Sequence, residues 1–339
     1  MSFPLLKPSP SISIIVPTYN RPDELRLCMD GFAHQTVPKD DFEVIVVDDG
    51  STNDVASSVA GFERELNLRL IRTDQAGPGA ARNLAINQAR GELVLLYDDD
   101  LRPSADIVAY CLEFHRDHTE EGDTALLQFG PDPEIARSLF EAWAFRTIYP
   151  FPREAGVYGW ACFWSGTLTL KKSLFRYGLF DADYRMLEDA ELGLRLSRNV
   201  DIRVHYEPRL TGSFTRRLTM QQIYSRQYTV GYYTHVFARQ YQGAVNFDYA
   251  PYDQPEKYIV RDPRKLKVLT SSVLAFERFG PDRDREKAVQ GSRVIRALWS
   301  TAERHARADG WIAARDGRRA EPPGSLGPLL TNHSDGAPH

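Results

Sequence analysis

The stretch from Glu92 to Pro103 reads ELVLLYDDDLRP: four apolar residues (Leu93, Val94, Leu95, Leu96) run straight towards three carboxylates, Asp98, Asp99 and Asp100. A short continuous apolar run is the pattern of a strand covered on both faces of a sheet. Three acids at its end repel one another, and burying them unpaired is costly. Something positive must therefore sit there. A divalent cation is the simplest candidate, because carboxylate oxygens suit Mg²⁺ or Mn²⁺. The plainer alternative is a solvated acidic turn before the next helix, and these residues alone do not separate the two.

The same unit recurs upstream. Ser11 to Val16 reads as a strand that ends in Pro17-Thr18-Tyr19-Asn20-Arg21-Pro22. Asn20 suits an N-cap and Pro22 the first turn of a helix carrying Leu25, Cys28, Met29 and Phe32 on one face. Phe42 to Val47 is a second strand, ending in Asp48-Asp49-Gly50-Ser51, with a helix expected from about Asp54 to Leu66. Leu68 to Arg72 is a third. Gly77-Pro78-Gly79-Ala80-Ala81-Arg82-Asn83 then opens a helix from Ala80 to Arg90, with Gly91 as its C-cap. Strands alternating with helices predict an α/β fold with a Rossmann-like, mostly parallel central sheet flanked by helices. Three polar strand ends then converge at one carboxyl edge, where ligands of open α/β sheets bind.

Gly77 and Gly79 have the spacing of a dinucleotide fingerprint, but Arg82 occupies the third glycine position, and the Gly-Lys-Ser/Thr of a phosphate loop is missing. What remains is a helix N-terminus suited to phosphate with one guanidinium nearby, or an ordinary helix start with a surface arginine.

Further on, helices are expected over 105–115, 134–145 and 220–241, strands over 124–129 and 201–206, and helices again over 266–279 and 286–306. The 149–170 segment is aromatic, and its Gly166 suggests a backbone that something approaches closely. Glu188 and Asp189 fall in the first turn of a helix with Leu192 and Leu196 on one face. There they are either capping residues or a general base whose pKa the helix start keeps low. A lone His205 in a strand is more simply a structural histidine than a metal ligand. The 220–241 helix either packs on the sheet domain or lies against a membrane surface. The tail from Gly317 is rich in Pro and Gly and reads as disordered.

The 339 residues carry a formal charge of −4, which gives no general attraction to nucleic acid. Three cysteines without paired spacing suit a reducing, cytoplasmic setting. No apolar run reaches the roughly 20 residues of a membrane span, so any membrane contact would be peripheral, at the inner face.

Taken together, SIIVPTYNRPDEL, FEVIVVDDGSTND, GPGAARNLAINQARGELVLLYDDD and LFDADYRMLEDAELGLRL resemble the family 2 glycosyltransferases, in the family's order and over about residues 10 to 215. The resemblance implies the glycosyltransferase-A fold over 1–215; the residues beyond it read as a helical extension over 216–316 and a disordered tail over 317–339. The resemblance also implies an inverting transfer from a nucleoside-diphosphate sugar, with uracil the usual base. Pro17, Thr18, Tyr19 and Arg21 would line the nucleobase and ribose pocket. Asp49, beside Asp48, would accept from the base, and Gly79 and Arg82 would approach the diphosphate. Asp98 and Asp100 would hold Mn²⁺ or Mg²⁺, with Asp99 facing the donor. Asp189 would be the catalytic base, assisted by Glu188.

Two departures stand out. Many members carry a metal-binding histidine after the last core strand, where this chain reads LTGSFTRR. The Gln-x-x-Arg-Trp motif and membrane helices of processive synthases are missing, which favours transfer of one sugar per encounter. The acceptor (glycan, lipid-linked sugar or small metabolite) is not encoded in any motif, and a homodimer stays open. A sugar-phosphate nucleotidyltransferase and an inactive sugar-nucleotide-binding protein are the rival readings.

Overall fold

Among the described residues nine strands form one mixed sheet in the computed structural model, which describes residues 9–134, 139–242, 255–259, 262, 264–265 and 293–320. The N-terminal half follows the alternation expected. Strand β1 (Ile12–Thr18) leads through helix α1 (Pro22–Ala33) to β2 (Phe42–Asp48), then to β3 (Leu68–Arg72), α3 (Pro78–Gln88) and β4 (Leu93–Tyr97). These four strands are mutually parallel in the order β3-β2-β1-β4. β1 and β2 are buried along nearly their whole length, which is why both are rich in Ile and Val rather than alternating apolar with polar; the one polar residue inside each run, Ser13 and Glu43, is buried and bonded to the other.

Beyond β4 the sheet becomes mixed. The short β5 (Leu101–Pro103) and helix α4 (Ile107–Asp117) precede β6 (Asp123–Pro131), and β7 (Gly156–Tyr158), β8 (Thr167–Lys171) and β9 (Arg203–Phe214) follow. β8 lies antiparallel between β4 and β6, and β9 runs parallel to β6. β5 and β7 both pair antiparallel with β9. Between β8 and β9, helix α6 (Glu188–Ser197) buries Leu192, Leu194 and Leu196. The core joins Ile15, Val47, Leu96, Phe163, Leu168, Leu192 and Tyr206.

Four local expectations are corrected. Asn20 is not an N-cap: that position is Arg21, without a side-chain cap, while Asn20 takes φ +56° and bonds the loop after β2. The helix expected over 54–66 is only one turn, α2 (Ala56–Val59), plus a 3₁₀ turn at Phe62–Arg64, with Gly61 between them. Gly91 is not the C-cap of α3, which is Ala89. A Cβ at Gly91 would stand 2.7 Å from the Ser13 nitrogen, so its missing side chain lets the α3–β4 turn press against β1. β9 outruns its expected end at Tyr206 because Pro208 is absorbed where the pairing with β6 shifts register, between Leu127 and Gln128.

The chain divides into two compact units, Met1–Ile135 with Phe151–Arg216, and Ala136–Pro150 with Arg217–His339. In the second unit the described elements are α5 (Leu139–Ile148), α7 (Met220–Gln240), a 3₁₀ turn at Pro255–Tyr258 and α8 (Arg293–Arg315). Thr219 and Gln222 form a capping box at the start of α7. α7 and α8 pack backbone to backbone at two glycines. A Cβ on Gly231 would lie 2.0 Å from the Arg307 carbonyl oxygen, and one on Gly310 1.9 Å from that of Tyr228. The helix expected over 266–279, the start of that over 286–306 and the tail beyond Ala320 lie outside the described residues.

Candidate active site

At the carboxyl end of β4 the chain turns sharply through Asp98, Asp99 and Asp100. Their backbone is pinned: the Asp98 amide donates to the Gly166 carbonyl, and the Asp100 carbonyl accepts from both the Thr215 amide (2.9 Å) and its hydroxyl (3.0 Å). The three carboxylates do not converge on one point. Asp98 accepts from Arg82 at 2.8 Å. Asp99 accepts from Arg21 at 2.7 Å with one oxygen and from the Thr18 hydroxyl at 2.7 Å with the other. Asp100 uses a single oxygen, Oδ2, towards Arg21 at 3.2 Å and Arg216 at 3.7 Å. Its Oδ1 is buried without a hydrogen-bond partner. The positive charge that this acid cluster demands is supplied here by arginines.

Arg82 ties this cluster to a second pair of acids. It rises from the first turns of α3, is almost fully buried, and donates to Asp98 and to Glu188, each at 2.8 Å. Glu188 and its neighbour Asp189 open α6, and Leu187 before them is held at φ +65°, a left-handed conformation that costs a leucine energy. Asp189 accepts from the Ser165 amide at 3.0 Å and from the Ala190 amide at 2.8 Å, and remains partly exposed. Gly166, next in line, has no room for a side chain: a Cβ there would stand 2.8 Å from Asp98 Oδ2. The backbone at 165–166 thus touches both acid groups.

Burial sets the proton affinities. It pushes the Asp100 carboxyl up to about 6 against the pull of Arg21. It also raises Glu188, with the Asp189 charge adding to the effect, and it raises Asp189 more than the Ser165 amide and Arg82 lower it. The expectation that a helix start keeps Asp189 low is therefore corrected: desolvation outweighs the amides. Burial opposes the charge of Arg82, yet Asp98, Glu188 and Asp189 outweigh it and raise its pKa.

The loops after β1, β2 and β3 are stitched beside these acids. Asp49 accepts from the amides of Ala76 (2.8 Å) and Gly77 (2.9 Å). Asp48 accepts from the Ser51 amide and from Arg72, both at 2.9 Å. Asn20 Oδ1 accepts from the Thr52 and Asn53 amides. Tyr19 stands out of this frame with 40% of its surface exposed, beside the half-buried Pro17.

Several assigned roles meet different partners. Arg21 is engaged with Asp99 and Asp100, and both oxygens of Asp99 accept bonds within the protein. Gly79 gives room to Phe180, whose Cβ would lie 3.1 Å from a Cβ at that position. His205 bonds Asp123 at 3.0 Å and is structurally satisfied. Arg216 and Ser165 belong to the site and were not anticipated. Arg216 lies in the LTGSFTRR stretch noted only for lacking a histidine.

The residues suit a divalent cation of the two-carboxylate kind. Among the described residues no group of three or more His, Cys, Asp or Glu side chains is gathered as a protein-only metal cage would need. Mg²⁺-type ions need no such cage, since one or two carboxylates plus substrate phosphates and water complete their shell. The unpartnered Asp100 Oδ1 and the half-exposed Asp98 provide hard oxygen donors of that type. With every acid ionised, five carboxylates against three guanidiniums leave two negative charges.

The profile of Glycosyl transferase family 2 matches residues 13–169, a span running from β1 through the acid cluster into β8. The chain carries a family 2 glycosyltransferase domain. Its relatives include the poly(ribitol-phosphate) beta-N-acetylglucosaminyltransferase TarS of Staphylococcus aureus, 40% identical over 111 residues, which are 31% of this chain and 19% of TarS. The validoxylamine A glucosyltransferase of Streptomyces hygroscopicus subsp. limoneus is 27% identical over 216 residues, 55% of this chain and 48% of that protein. The aligned region thus spans about a fifth of TarS and about half of the second relative. Among solved structures, S. aureus TarS 1–349 in complex with UDP-GlcNAc superposes with a TM-score of 0.51 at 19% identity, covering 91% of this chain and 92% of that one. The mannosyltransferase PcManGT from Pyrobaculum calidifontis, in complex with GDP-Man and Mn²⁺, gives 0.61 at 19% identity, covering 92% and 89%. The family 2 domain has the glycosyltransferase-A fold of these structures. No helix among the described residues is long and apolar enough to cross a membrane.

Proposed function

We propose that the chain is an inverting glycosyltransferase that moves a sugar from a nucleoside-diphosphate donor, a UDP-sugar, to an acceptor hydroxyl with the help of Mn²⁺ or Mg²⁺. The observation that carries this reading is Arg82, whose one guanidinium holds Asp98 of the first acid group and Glu188 of the second. It brings a diphosphate-side cluster and a candidate base onto one framework. The UDP-GlcNAc bound to TarS supports the uridine donor, and the Mn²⁺ of PcManGT supports the ion.

In this reading Asp98 and Asp100 hold the cation, which when bound neutralises charge on the departing diphosphate as a Lewis acid. Arg21 and Thr18 keep Asp99 fixed, and so keep the turn between the two metal-side acids rigid. The acceptor oxygen bonds to the anomeric carbon as the bond from that carbon to the diphosphate oxygen breaks, and the electron pair leaves with the diphosphate. The acceptor's proton passes to Asp189, oriented by the Ser165 and Ala190 amides. Its raised proton affinity favours that transfer. One displacement inverts the anomeric carbon.

A thermal-shift screen of nucleotide sugars with and without Mn²⁺ tests the reading. A UDP-sugar is expected to raise the melting temperature with Mn²⁺ and to do so less in EDTA. Stabilisation by no nucleotide sugar under either condition refutes it.

A further inference from the structure

We infer that Arg216 is a leaving-group residue: it leaves Asp100 when the cation binds and grips the diphosphate. This rests on the glycosyltransferase reading above and adds a residue to it.

The placement of Arg216 is fixed while its side chain is loosely held. Thr215 is clamped to the Asp100 carbonyl by its amide and its hydroxyl, and Phe214 pairs with Leu101 at the end of β9. The backbone of Arg216 is therefore anchored one residue from these bonds. Its guanidinium, however, stands 3.7 Å from Asp100 Oδ2, beyond hydrogen-bond distance, with 23% of the side chain exposed. Among the described residues that ion pair is its one polar side-chain contact. Arg21 differs. It reaches the same Asp100 oxygen at 3.2 Å, but its Nη1 is also 2.7 Å from Asp99 and stays committed there.

A divalent cation at Asp100 reverses the sign of the local field. The contact that yields is the looser one, because the Arg216 charge is then repelled from the ion and its geometry costs little to break. The freed guanidinium offers several N–H donors in a planar fork, a match for phosphate oxygens. The chemistry calls for one such charge. A nucleoside diphosphate leaves with about three negative charges near neutral pH, and the charge of a divalent ion is already matched by the two carboxylates that would hold it. A guanidinium must then meet the diphosphate directly, and Arg216 is the one least committed to the acids.

The test is titration calorimetry of the full chain with UDP, in Mn²⁺ and in EDTA, and with uridine, for the unchanged protein, Arg216→Ala and Arg216→Lys. Arg216→Ala is expected to weaken UDP binding in Mn²⁺ about tenfold or more, to weaken it less in EDTA, and to leave uridine binding unchanged. Arg216→Lys recovers part of the loss, as a point charge without the fork. UDP binding by Arg216→Ala within about twofold of the unchanged protein in Mn²⁺ overturns the inference. So does an equal loss for uridine, which marks a structural role. Failure of the unchanged protein to bind UDP in Mn²⁺ overturns the uridine-donor reading itself and the role of Arg216 with it.

Discussion

Arg82 and Glu188 are 106 positions apart in the chain and 2.8 Å apart in space, joined by a buried ion pair. The same guanidinium bonds Asp98, so helix α3, the end of β4 and the start of α6 share one charge.

Arg82→Met removes that shared charge and leaves Glu188 buried without its partner. Breaking a buried pair costs about 3–5 kcal/mol, so the melting temperature is expected to fall by several degrees, far more than for Arg116→Met at an exposed pair. Equal melting temperatures for the two variants would show that Arg82 does not hold the site together.

Asp189→Asn keeps the shape of the side chain and removes its basicity. Transfer is expected to drop by roughly 10²–10⁴-fold, with UDP binding little changed. Turnover close to that of the unchanged protein takes the base role away from Asp189.

Asp100→Ala removes the acid with the unpartnered oxygen. UDP binding in Mn²⁺ is expected to weaken much more than binding in EDTA, as read by calorimetry. Equal weakening in both conditions removes Asp100 from the metal site.

His115 gives a pH signature remote from the acids. Its Nε2 meets the Thr169 hydroxyl at 3.0 Å, its Nδ1 has no hydrogen-bond partner, and burial, reinforced by Lys171, pushes its pKa down to about 3. A group whose folded pKa is depressed contributes stability that is present above its unfolded pKa of about 6.5 and is lost as pH falls towards the folded one. That loss is on the order of 2 kcal/mol between pH 7 and pH 5. His115→Gln, which cannot titrate, is expected to flatten the fall in melting temperature over that range. A pH profile unchanged by the substitution refutes this origin.

Gly91→Ala places a methyl 2.7 Å from the Ser13 nitrogen and 2.8 Å from the Ile12 carbonyl carbon. Overpacking of this kind costs about 1–3 kcal/mol. Gly91→Asn is expected to be at least as damaging in urea unfolding. An Asn variant more stable than the Ala one would restore the helix-cap reading of this glycine.

The parallel half of the sheet was legible because both of its faces are covered: Ile12–Val16, Phe42–Val47 and Leu93–Leu96 are short, mainly apolar segments rich in Ile, Val and Leu, the pattern of a buried strand. The convergence of their polar ends followed from the alternation with helices. What was not legible was partnership across distance. Nothing near Arg21 says that it meets Asp99, 78 positions away, and nothing near Ser165 says that its amide orients Asp189. Asn20 looked like a cap because its neighbours suit a helix start, but the loop after β2 competes for its side-chain oxygen and wins. The expected length of β9 failed because proline is an end signal only where the ladder cannot bulge.

Guanidinium counter-charges at Asp98, Asp99 and Asp100 have a consequence for the life of the chain before it meets any ion. Three of the five acid charges are offset by guanidiniums of the chain itself, so most of that balance does not depend on an ion. On the proposed reading, chelation stops transfer while the far-ultraviolet dichroism stays intact, and returning manganese restores transfer without a refolding lag; loss of the dichroism on chelation would overturn this.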